Sequence, residues 1–125
     1  MNTHSEHRIN LSRQWEIVLD HKSGRQRIDL SGIQQLELPV RLVRKFNVPT
    51  QLDSNCKVVL AAENFAPEIM ATLNDEPLSW SATGKAQFES EDIRNRLKNF
   101  NHLELQLSVI DRAEAAMQLC IRPDN

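Results

Sequence analysis

The chain has 125 residues, 40% of them hydrophobic and 26% charged, with a formal net charge of −2 from 15 basic and 17 acidic residues. This length suits one domain that buries about two-thirds of its unfolded surface without a disulfide or metal staple, and the composition excludes an unstructured chain. So even a charge balance gives no long-range pull toward nucleic acid or anionic lipid, and no apolar run approaches the roughly 20 residues of a membrane span.

Residues 1–12 read as a polar, flexible N-terminal tail, and 13–123 as a single β-sandwich domain. The opening residues, Met1 to His7, hold no apolar signal core, so a cytoplasmic location is expected. Trp15, Ile17 and Leu19 alternate with polar neighbours, Asp20 to Gly24 supply turn residues, and Ile28 and Leu30 follow. Residues 14–30 therefore read as a hairpin, with Trp15 in the core. A second strand pattern covers Leu36 to Val48, where Pro39 signals an edge position or the start of the strand. Val58 to Ala62 is a continuous apolar run, as a central strand requires.

Ile69, Ala71 and Leu73 alternate into Asn74-Asp75, with Leu78 and Trp80 beyond. Asn and Asp tolerate the left-handed backbone of a tight turn, so this is a second hairpin. Ser90, Glu91 and Asp92 look like a helix start, and Ile93, Leu97 and Phe100 recur at helical spacing. Leu103, Leu105, Leu107 and Val109 alternate with Glu104, Gln106 and Ser108 in the clearest strand pattern of the chain. The stretch Asp111 to Ala116 reads as a loop, and Met117, Leu119 and Ile121 as a final strand. These elements define an all-β fold, an antiparallel β-sandwich or jelly roll with one short helix.

Several of these segments, taken in order, carry a resemblance. Leu42-Val43-Arg44-Lys45-Phe46-Asn47-Val48-Pro49 looks like a basic-plus-aromatic strand ending in Val-Pro, and Val58-Val59-Leu60 like the core strand that follows it. Ala71 to Leu78 resembles a "strand, Leu-Asn-Gly, then Leu" hairpin, with Asp75 in place of the glycine. Phe88, Asp92-Ile93, Leu97, Asn101 and Leu103 complete the series. Together they are similar to the galactose-binding-like jelly-roll domain that accompanies glycoside hydrolases of the β-galactosidase and β-glucuronidase group. That resemblance implies a non-catalytic accessory domain and a carbohydrate ligand.

The residues themselves favour no reaction. Glu89, Glu91 and Asp92 cluster, but helix-start charge accounts for them more simply than a glycosidase pair. Cys56 and Cys120 fall inside strand patterns and read as buried thiols, not as a disulfide. His4 and His7 lie in the polar tail, and too few ligands accompany them for a metal site. Asp53, Ser54 and Asn55 offer oxygen ligands of the kind that hold a structural calcium, but a turn explains them more simply. Sugars pack on aromatic rings, and the best rings for that contact are Trp80 and Phe65, with Asp53 and Asn55 as polar companions. Phe46, Phe65, Phe88 and Phe100 read mainly as core or core-edge residues. The basic groups Arg41-Arg44-Lys45 and Arg94-Arg96-Lys98 read as solvated faces, with room for an acidic partner. The expectation is a non-enzymatic interaction module without a cofactor, binding another protein or pairing with a second copy through a sheet edge. The alternative is a carbohydrate-binding module.

Overall fold

The computed structural model describes residues 6–18, 26–49, 52, 55–66, 69–108 and 114–123. The strands are β1 (His7–Asn10), β2 (Trp15–Ile17), β3 (Gln26–Ile28), β4 (Val40–Asn47), β5 (Cys56–Glu63), β6 (Met70–Leu73), β7 (Glu76–Pro77), β8 (Trp80–Gly84), β9 (Gln87–Ser90), β10 (Phe100–Leu107) and β11 (Ala116–Pro123). They form a five-stranded sheet in the order β1-β11-β5-β9-β8 and a six-stranded sheet in the order β3-β2-β4-β10-β6-β7. Every pairing is antiparallel, so the chain is an all-β sandwich compatible with a jelly roll.

Alternation along the strands makes the core. Leu103, Leu105 and Leu107 of β10 turn inward beside Leu42 of β4 and Leu73 of β6, and Val58, Leu60 and Ala62 of β5 line up with Met117 and Leu119 of β11. Burying each large aliphatic side chain contributes roughly 1.5–3 kcal/mol. Trp15 is fully buried, and its indole Nε1 donates to the Leu11 carbonyl at 2.6 Å, so the one polar atom of the largest core residue is satisfied. β5 occupies the middle of its sheet, as its unbroken apolar run requires.

Pro39 precedes the first residue of β4, which marks the start of the strand. Residues 36–39, expected to open the strand that begins at Leu36, lie outside it, and a 3₁₀ helix over Leu30–Gln35 precedes them and buries Leu30 and Ile33. The second hairpin is β6–β7, with Asn74 and Asp75 at φ 52° and 70°, the left-handed pair of a type I′ turn. Its return arm is only two residues long. The chain then crosses, and Trp80 opens β8 in the other sheet.

Two expectations need correction. The helix expected after Ser90 is a single 3₁₀ turn over Arg94–Arg96. The side chains that would cap a longer helix also serve β5, although Asp92 Oδ1 still accepts from the Arg94 N–H at 3.1 Å. Where β9 leaves β5, Ser90 Oγ accepts from the Leu60 N–H at 2.8 Å and Asp92 Oδ1 accepts from the Val58 N–H at 3.1 Å. These two side chains replace a neighbouring strand as partners of β5. In addition, His7–Asn10, inside the stretch expected to be a tail, forms the edge strand β1 along β11. The turn of the first hairpin, with Gly24, and the loop before β11 lie largely outside the described residues. No helix among the described residues is long and apolar enough to cross a membrane.

Candidate functional site

The residues singled out for sugar contact do not meet in one cleft. Phe65 is 3% exposed and belongs to the core, so it offers no ring face. Trp80 is half-buried against the core, with its Nε1 shielded and without a hydrogen-bond partner. Asn55 is exposed in the turn before β5, and Asp53 lies outside the described residues, as does His4. Among the described residues no three His, Cys, Asp or Glu side chains converge on a metal position.

A short strand, an edge and a cleft come together elsewhere. β2 is three residues long and pairs with β4 only through Glu16↔Val43 and Ile17↔Leu42. Beyond Val43, β4 runs on to Asn47 with β10 on one side and, among the described residues, no strand on the other. The Val48 N–H donates to the Asn99 carbonyl at 3.1 Å, which sets the phase of the β4–β10 ladder. Antiparallel alternation then turns the backbone groups of Arg44 and Phe46 toward β10 and those of Lys45 and Asn47 toward the open side.

Beside this free edge lies a cleft of about 680 Å³, walled by Ile9 and Leu11 from the β1 side and by Arg44 to Asn47 and Phe100 to His102 from the other sheet. Phe100 is 78% exposed, which corrects its reading as a core residue on a helix. The signal was present in the parity. Extending the Leu103 and Leu105 alternation backward puts Asn101 inside and Phe100 outside, on the side of His102 and Glu104.

Arg44 shares parity with Leu42 and Phe46, so it points inward at the end of the sandwich, where its stem packs and its head stays partly shielded. Its Nε donates to the Arg13 carbonyl at 2.7 Å and its Nη1 to the Lys45 carbonyl. No carboxylate pairs with it among the described residues, and burial pushes its pKa below the ordinary arginine value. Among the described residues, the cleft lining contains Arg44, Lys45 and His102 and no acid. Other basic side chains are engaged: Arg41 pairs with Glu104 at 3.0 Å, and Arg96 donates to the Glu76 carbonyl at 2.8 Å across the β6–β7 turn.

Below the cleft, Asn101 ties three segments together. Its Oδ1 accepts from the Lys98 N–H at 2.8 Å and from Asn74 Nδ2 at 3.1 Å, while its Nδ2 donates to the carbonyls of Lys98 at 2.8 Å and Phe46 at 3.4 Å. The Asn74 Oδ1 in turn accepts from the His102 N–H at 2.9 Å. This network fixes the start of β10 and, with it, the positions of Phe100 and His102.

A second polar cluster covers the outer face of the five-stranded sheet. Arg122 makes a two-pronged pair with Glu89 and also binds Glu6, and Arg8 joins Glu6 at 2.5 Å. Hydrogen bonding from Arg122 lowers the Glu89 pKa. Burial opposes the charge on Glu6, but Arg122 and Arg8 outweigh it and its pKa also falls. Cys120 lies fully buried beneath this lid, and burial pushes its thiol pKa up, away from the reactive thiolate.

No protein-family profile matches the chain, and no curated protein matches it. By its fold it is a two-sheet antiparallel β-sandwich, with a cleft carrying Arg44 and Lys45 beside the far half of β4.

Proposed function

We propose that this chain is a non-catalytic interaction module that binds another protein by taking an extended segment alongside the free half of β4. The observation that carries this reading is the β4 edge at Lys45–Asn47, which no described strand pairs and where the Lys45 carbonyl alone is taken up locally by Arg44 Nη1, adjoining a cleft lined by Phe46 and the exposed Phe100. An exposed edge offers main-chain hydrogen bonds for affinity, and the adjoining pocket discriminates among alternate side chains. The galactose-binding-like resemblance of Leu42 to Val48, Ala71 to Leu78 and Asn101 supports an accessory-module reading, since Asn74 and Asn101 of those motifs serve structure. The carbohydrate alternative has less support, because Phe65 is in the core and Trp80 presents only part of its ring.

An amide-shift titration of ¹⁵N-labelled protein tests the proposal. One arm receives pooled octapeptides that alternate valine with polar residues, and the other receives pooled mono- and oligosaccharides. Saturable shifts and slowed exchange at Lys45 and Asn47 with peptide support strand addition. Shifts around Trp80 and Asn55 with sugar alone would replace it with the carbohydrate reading. Concentration-dependent shifts at the β4 edge without any ligand would make a second copy the occupant.

A further inference from the structure

We infer that the segment received at the β4 edge is acidic on one face, its carboxylates pairing with Arg44 in one register or with Lys45 in the other. The inference rests on the strand-addition reading and adds the chemistry of the partner. Side chains of an added strand alternate between faces, and the two sides of this edge carry a cation each. On the inner side, Arg44 faces the cleft beside the apolar wall of Ile9, Leu11 and Phe46. On the outer side, Lys45 stands opposite its register partner His102, with Phe100 opposite Asn47. A segment of alternating acidic and apolar residues therefore meets a cation or an apolar surface in either register.

The state of Arg44 gives the argument its direction. A guanidinium has five N–H donors, and two of these nitrogens, Nε and Nη1, donate to the carbonyls of Arg13 and Lys45. Those bonds fix the plane of the group and leave Nη2 without a partner among the described residues. A fixed, partly desolvated guanidinium with free donors is preorganised for a carboxylate, because the side-chain ordering has already occurred. The protein carries a net negative charge of −2, yet no acidic side chain among the described residues lines this cleft. An anionic partner supplies the countercharge that the described residues around the cleft do not.

The probes are a blocked octapeptide alternating valine and glutamate, its twin with glutamine for glutamate, and a sulfated tetrasaccharide. Each is titrated into wild-type protein, Arg44→Gln and Lys45→Gln at low and high salt, after far-UV circular dichroism and Trp15 fluorescence show that each variant is folded. The acidic peptide is expected to bind at least about 10-fold more tightly than its twin, since a charge-assisted bond is worth that much. Its affinity should fall with salt and drop about 10- to 100-fold in Arg44→Gln. Lys45→Gln, on the exposed side, should give a smaller loss and keeps the test independent of any structural effect at Arg44. Equal binding of both peptides would overturn the acidic partner while leaving strand addition standing. Silence with both peptides would overturn the two readings together. Binding of the tetrasaccharide alone at the same amides would replace the acidic peptide with a sulfated glycan.

Discussion

Replacing Asn101 by alanine removes a side chain that is 2% exposed and uses all of its amide's bonding capacity. Four hydrogen bonds go at once: two with the Lys98 backbone at 2.8 Å, one from Asn74 at 3.1 Å and one to Phe46 at 3.4 Å. Each well-made bond contributes about 1 kcal/mol net, and stranded buried groups cost about 1–3 kcal/mol each. Water reaches part of the Lys98 loop, so the expected loss is about 3 kcal/mol. That is a large fraction of the roughly 5–15 kcal/mol that holds a domain together, and at this chain length it lowers Tm by about 10 °C. Asn101→Asp keeps the acceptor but turns a charge toward two carbonyls, so it should be no more stable than alanine. Urea and thermal unfolding followed by tryptophan fluorescence read both variants against Asn55→Ala, an exposed control. A loss below about 0.5 kcal/mol, the size of an ordinary surface substitution, would refute the claim that this amide organises the base of the cleft.

Two further outcomes follow from features of the two sheets. Glu6 and Glu89 have folded-state pKa values lowered by Arg122 and Arg8, so the stability they contribute is present above the unfolded value near about 4.3 and lost as pH falls through the lower folded values. Urea midpoints should therefore fall more steeply with acidification in the wild type than in Arg122→Met, and parallel curves would sink that account. Asp75→Gly relieves a non-glycine residue at φ 70° in the β6–β7 turn. It should stabilise the protein by about 0.5–1 kcal/mol in thermal unfolding, whereas a lower midpoint would contradict the type I′ assignment.

Much of the sandwich was legible because its strongest strands obey local rules. The alternation from Leu103 to Leu107 and the apolar run from Val58 to Ala62 each state their own burial, and Asn74-Asp75 states its own turn. The errors share one physical origin, which is that local signals were satisfied by distant partners. Ser90 and Asp92 have helix-capping chemistry, but their oxygens bind the backbone of β5, and Asp92 shares the same oxygen with the Arg94 N–H of a single 3₁₀ turn. His7–Asn10 looks like a polar tail, and only the neighbouring β11 makes it a strand. Trp80 follows the second hairpin in sequence but belongs to the opposite sheet. The cleft was least legible of all. It exists because β2 stops short of Arg44, and the length of a neighbouring strand leaves no trace in the residues that its absence exposes. The sequence did flag Arg44 and Lys45 as a basic group with room for an acidic partner, but not that one of the two points inward.

The pairing of β1 with β11 also orders events during synthesis. β11 sits between β1 and β5, so the first strand made has no neighbour in its sheet until the last strand arrives. The β2-β4-β10-β6 portion of the other sheet can assemble earlier, but the inner face formed by Leu42, Leu103 and Leu105 stays without its full cover until then. Pairings between strands so far apart along the chain form slowly, and an apolar face waiting for its lid is the species most exposed to aggregation. A nascent chain of this protein would thus depend most on chaperone protection in the interval between the emergence of β10 and that of β11.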